Sequence, residues 1–172
     1  VVLSNGGDFD VTTGNSRFDE CRWIWNKLNN INGSCLDFTC VRDSSEDFWV
    51  NHLENNFDIR SYDAILSLPE YDSHFEHRKV NNISKALLRG VGVGLITYRT
   101  PSTLEQWIPN YYTELQDEVM ETKIDILREG FNSQKDKLYF QRQRIKDFHI
   151  NYQCSKVGVS YVEQFKIERL FG

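Results

Sequence analysis

Two imidazoles and three carboxylates fall within one short stretch, Glu70, Asp72, His74, Glu76 and His77. Two histidines three residues apart share a helix face and could share an ion. A zinc hydrolase, however, needs a third protein ligand and a base, and the spacing forces neither. A solvated, His-bearing loop is the simpler reading. Ser67, Ser73 and the cysteines Cys21, Cys35, Cys40 and Cys154 are the candidate nucleophiles. None stands in a Gly-x-Ser-x-Gly elbow or beside a fixed base, so covalent catalysis is not expected. Gly6-Gly7-Asp8 could cradle a phosphate, but such a site opens a helix directly after its glycines. Here a polar loop through Thr12-Thr13-Gly14-Asn15-Ser16 intervenes.

The elements that must position these residues follow from hydrophobic spacing. Tyr62 to Leu66 is a short apolar run leading into Ser67-Leu68-Pro69-Glu70. Ala64, Ile65 and Leu66 are continuous rather than alternating, which predicts a central strand covered on both faces. In open α/β sheets ligands bind beyond the carboxyl ends of such strands, which places a site at Ser67 to Ser73. Further strands are predicted at Val1 to Ser4, Cys35 to Val41, Val91 to Tyr98 and Val157 to Phe171. Helices are predicted from Phe18 to Leu28 and over Glu46 to Asn55, the latter opened by Asp43-Ser44-Ser45 with acids in its first turn. More follow over Arg78 to Arg89 and from Trp107 to Leu127, and residues 133–150 read as a solvated helix face. The β-α-β-α-β-α-β order predicts an α/β three-layer sandwich: a mainly parallel central sheet with helices on both faces, caspase-like or flavodoxin-like.

Composition narrows the functional classes. The 172 residues suit one domain spanning 1–172. A formal net charge of -5 argues against a nucleic-acid surface. No apolar run reaches the length that spans a bilayer, and no signal peptide opens the chain. A cytoplasmic protein with no membrane partner is therefore expected. The cysteines carry no metal-ligand spacing, and no cofactor is implied.

Three stretches carry a resemblance to the caspase family. Thr13-Gly14-Asn15-Ser16-Arg17-Phe18-Asp19-Glu20 resembles the family's Arg-bearing loop, Ile65-Leu66-Ser67-Leu68-Pro69-Glu70 the strand ending in Ser-His-Gly-Glu, and Gly94 to Thr100 the strand ending in Gln-Ala-Cys-Arg-Gly. On that resemblance residues 1–100 correspond to the large-subunit part and 101–172 to the small-subunit part. Leu68 stands where the family has its histidine and Tyr98 where it has its cysteine. Neither can do that chemistry. The resemblance thus implies a pseudocaspase: not an enzyme, with Arg17 a vestigial substrate-binding residue. It would regulate an active caspase or related cell-death protein by association, or form a homodimer. The final strand would offer an exposed edge with Val159, Tyr161 and Val162 at the interface. The alternative is a small Rossmann-like transferase, with a nucleotide-type donor near Gly6-Gly7 and Asp43.

Overall fold

The computed structural model describes residues 17–28 and 41–170. The strand expected at Val1 to Ser4, residues 35–40 of the strand expected at Cys35 to Val41, and Gly6, Gly7 and Asp8 lie outside these, and Val41 itself opens a 3-10 turn. The described residues form six helices and a four-stranded mixed sheet, and chain contacts divide the molecule into two compact units.

One unit comprises residues 42–113 and 163–172. It opens with α2 (Glu46–Asn56), where the Ser45 side chain accepts from the Phe48 N–H at 3.1 Å, satisfying one of the orphan donors of the first turn. The buried Lys79 ammonium donates to the carbonyl oxygens of Arg42 and Ser44, tying the segment before α2 to α3 (Phe75–Leu87). α2 packs on α3, burying Trp49, Val50 and Leu53 on one helix and Ile83 and Leu87 on the other. Removing each such aliphatic side chain from water contributes about 1.5–3 kcal/mol.

β1 (Ala64–Ser67) pairs in parallel with β2 (Gly94–Tyr98), and β2 pairs antiparallel with β4 (Tyr161–Arg169). The sheet order is β1-β2-β4-β3, with β3 spanning Tyr111–Leu115. Among the described residues the α/β fold is borne out, but the sheet is mixed rather than mainly parallel. Among the described residues β1 is an outer strand rather than a central one, and Leu66 is exposed. The final strand, expected at an edge, lies between β2 and β3 with its backbone already paired, and Val162 is buried.

β3 replaces the start of the helix expected from Trp107. Asn110 fixes this: its backbone N–H donates to Phe165 O at 3.0 Å. Its side-chain amide accepts from Ile167 N at 2.8 Å and donates to Ile167 O at 3.1 Å. Tyr111-Tyr112-Thr113, with strand-favouring side chains, continues from that anchor. Trp107 is buried and donates its indole N–H to Thr97 Oγ1 at 3.0 Å, so it serves packing.

The other unit comprises residues 1–41 and 114–162. It contains α1 (Arg17–Leu28), α4 (Asp117–Gly130), α5 (Arg142–Phe148) and α6 (Tyr152–Val157). Met120 and Ile124 on α4 are fully buried with Leu115 and Ile145, and Leu127 and Tyr161 pack against them. The Glu20 carboxylate on α1 accepts from the N–H and hydroxyl of Ser133, just past α4. α6 ends at Gly158, whose φ of 77° is the left-handed conformation that glycine adopts without a Cβ clash. The strand expected from Val157 therefore starts only at Tyr161.

Candidate active site

Where β1 ends, Ser67 is buried and its hydroxyl lies 2.8 Å from that of Ser84 on α3. The chain then leaves through Leu68 and Pro69 and reaches Asp72. This carboxylate is fully buried, with 0% of its surface exposed. Its Oδ1 accepts from the His74 N–H at 2.8 Å, and its Oδ2 from the Thr100 hydroxyl at 2.7 Å. His77 Nδ1 stands 3.0 Å from the same Oδ2. Two segments remote in sequence are thereby held together, and backbone bonds repeat the link. Ser73 N donates to Ser102 O at 2.9 Å, and Leu104 N to Tyr71 O at 2.9 Å. The Arg78 guanidinium closes the loop from the helix side, donating to the carbonyls of Asp72 and Ser73.

The electrostatics follow from that packing. Burial pushes the Asp72 carboxyl up, but hydrogen bonds from Thr100, Ser102, the His74 backbone and His77 outweigh it and hold the group below the usual carboxylate range. An ionised carboxylate only accepts, so the proton of a neutral His77 sits on Nδ1 and the lone pair on Nε2. The ring is half-buried and stacks on His74, centroids 4.5 Å apart and planes 28° apart. Ser102 Oγ approaches the same Nδ1 at 3.2 Å. A Ser-His-Asp triad requires serine and aspartate on opposite ring nitrogens. Here both address one nitrogen, so Ser102 belongs to the support of the imidazole. What the arrangement can do is move a proton at Nε2.

The solvated His-bearing loop is thus corrected. His74 is the N-cap of α3 and His77 lies in its first turn, three residues earlier than the helix expected from Arg78. With Nδ1 committed to Asp72, His77 has only Nε2 to offer a ligand. Among the described residues no three His, Cys, Asp or Glu side chains converge as a metal site would require. Glu70 is drawn instead to Lys85, 2.5 Å away, and this ammonium holds its carboxyl below the ordinary value.

The residues singled out from the sequence are scattered. Leu68 follows β1, half-buried, and its carbonyl accepts from Asn81 Nδ2 at 2.7 Å. Tyr98 ends β2, and burial pushes its phenol up. Arg17 is the first residue of α1, and its side chain lies outside the described residues. Val159 and Tyr161 are half-buried. Asp43 is exposed, in a 3-10 turn spanning Val41–Asp43. Asp72, His77, Thr100 and Ser102 were missed as a set. The one signal that reached them was the rule placing a site beyond the carboxyl end of β1.

No protein-family model matches the sequence, and no curated protein does. Solved structures share the fold. The N,N'-diacetylchitobiose deacetylase from Pyrococcus horikoshii superposes with a TM-score of 0.68 and 18% identity, over 96% of this chain and 70% of that one. The 4-carboxy-2-hydroxymuconate hydratase from Pseudomonas putida gives 0.62 and 13%, over 90% and 72%. An antimicrobial pseudoaglycone deacetylase gives 0.60 and 11%, over 87% and 68%. At such identities the likeness is one of fold. It overturns the caspase resemblance, the pseudocaspase regulator of cell death that it implied, and the Rossmann-like transferase. The reading of Leu68 and Tyr98 as degenerate catalytic positions loses its basis with the caspase resemblance, and the inference that the chain is not an enzyme falls with it. The chain has the fold of deacetylases and of a hydratase.

Proposed function

We propose that the chain is a hydrolase of the deacetylase type, cleaving an acyl group from nitrogen with His77 as its acid-base residue. The observation that carries this reading is the 3.0 Å contact between the buried Asp72 carboxylate and His77 Nδ1. Two of the structures that share the fold are deacetylases by name, which supports the choice of bond.

Amide hydrolysis needs a proton taken from water as its oxygen attacks the carbonyl carbon, and a proton given to nitrogen as the C–N bond breaks. One imidazole can do both in turn, because a ring nitrogen that accepts a proton can release it again in the next step. Nε2 takes the water proton, Asp72 stabilises the resulting imidazolium through Nδ1–H, and Nε2–H then delivers its proton to the leaving nitrogen. The test is release of primary amine from a panel of N-acetylated amino sugars and amino acids by the chain and by His77→Ala. Amine release lost in the variant is the expected result. A parent that releases none, or a variant as fast as the parent, would overturn the proposal.

A further inference from the structure

We infer that Asn81 is a positioning residue for the Asp72–His77 pair, acting through the carbonyl of Leu68. On α3 the residues 77, 81 and 85 recur every four positions and line one face. Each holds the connection from β1 at a different point: His77 at Asp72, Asn81 at Leu68 and Lys85 at Glu70. The Lys85–Glu70 pair is substantially exposed and such pairs constrain little. Asn81 is the buried anchor, with 0% of its surface exposed.

The chemistry of the anchor fixes its orientation. The Leu68 carbonyl can only accept, so Nδ2 must face it, at 2.7 Å, and Oδ1 faces away. That Oδ1 is buried without a hydrogen-bond partner among the described residues. Leaving a buried acceptor unpaired is destabilising; leucine, of similar size, would remove that acceptor but would take the donor away from the Leu68 carbonyl. The orphaned Oδ1 offsets what the Leu68 bond contributes to stability, so stability is a weak reason for asparagine here. What asparagine alone supplies is the grip on the first residue of the segment that delivers Asp72 to His77.

The inference rests on the reading of His77 as an acid-base group, but its test needs no turnover. The imidazole nitrogens of His77 are followed by ¹⁵N NMR in the 172-residue chain, in Asn81→Leu and in Asp72→Asn. In the parent the two nitrogen signals stand well apart, as for a ring held in its Nδ1–H tautomer. In folded Asn81→Leu the two signals draw together toward the average of a freely exchanging histidine, as they do in Asp72→Asn. A folded Asn81→Leu that keeps the separated signals would overturn the inference, whatever its melting temperature. If the leucine variant does not fold, Asn81→Ser, which is too short to reach Leu68 O, is read by the same criterion. Failure to find a substrate would sink the proposed hydrolase and leave this result standing.

Discussion

Asp72 Oδ2 and His77 Nδ1 lie 3.0 Å apart, with the carboxylate fully buried and the ring only half so. The asymmetry matters: the group that fixes the tautomer is shielded from water, while the imidazole it holds keeps part of its surface exposed. Replacing Asp72 with Asn removes the charge and points an NH2 group either at the His74 N–H or at Thr100 and His77. The expected cost is about 1–3 kcal/mol of stability for the buried mismatch. Any amine-releasing activity should fall by about 10²–10⁴-fold. Urea unfolding and the amine assay measure the two losses separately.

The same carboxylate gives a pH dependence whose sign is fixed. Hydrogen bonds from Thr100, Ser102, His74 and His77 outweigh burial and depress its pKa in the folded chain. A depressed carboxyl contributes its full stability above the unfolded value, about 3.9, and loses it as pH falls through the lower folded value. The urea midpoint of the parent should therefore drop between about pH 5 and pH 2. Asp72→Asn should drop less over that range, so that the two curves converge in acid. Curves that stay parallel would mean the carboxylate is not ionised in the fold.

Ser102 separates an imidazole dyad from a serine triad. Its Oγ sits 3.2 Å from the Nδ1 that already faces Asp72, so a deprotonated Nε2 cannot activate it. Ser102→Ala should lower the rate modestly, by less than about tenfold, since one supporting hydrogen bond contributes about 1 kcal/mol. The parent should not be labelled by a fluorophosphonate. Labelling at Ser102 would reverse this assignment.

Part of this was legible in the sequence. Ser45 and the acids after it announced α2, and the end of β1 announced the neighbourhood of the site. The site itself was not legible, because Asp72 and His77 acquire their environment from Thr100 and Ser102, brought in by chain contacts that no local pattern encodes. His74 also caps α3 without a side-chain hydrogen bond, so the helix start carries no capping signal and nothing local places His77 in a helix. Leu115 suited a 3.6-residue period as well as a strand, and only Asn110 pairing with β4 decides between them. The final strand shows the same limit. Its pattern predicts a strand, but whether a strand is an edge depends on which neighbours cover it, and β3 does. The caspase resemblance failed for a related reason. Ser67-Leu68-Pro69-Glu70 matched a motif at a strand end, and strand ends of many α/β folds look alike over so few residues.

The α1–α4 contact offers a test in the unit that holds no part of the site. A Cβ built on Gly130 would lie 2.4 Å from Ile24 Cγ1 and 2.7 Å from its Cδ1. Real Cβ atoms do not approach that closely, so one side must move. Ile24 is itself buried, and its β-branched side chain is stiff at χ1 within α1. Overpacking of this kind costs about 1–3 kcal/mol, more than the small gain in helix propensity from glycine to alanine, about 1 kcal/mol. Gly130→Ala should therefore be net neutral to destabilising in urea unfolding. Combining it with Ile24→Val, which removes the Cδ1 methyl, should recover part of the loss. The two positions touch, so their effects should couple rather than add. Strict additivity in the double-mutant cycle would show that Gly130→Ala acts through helix propensity alone and that the close approach of α1 to α4 contributes nothing.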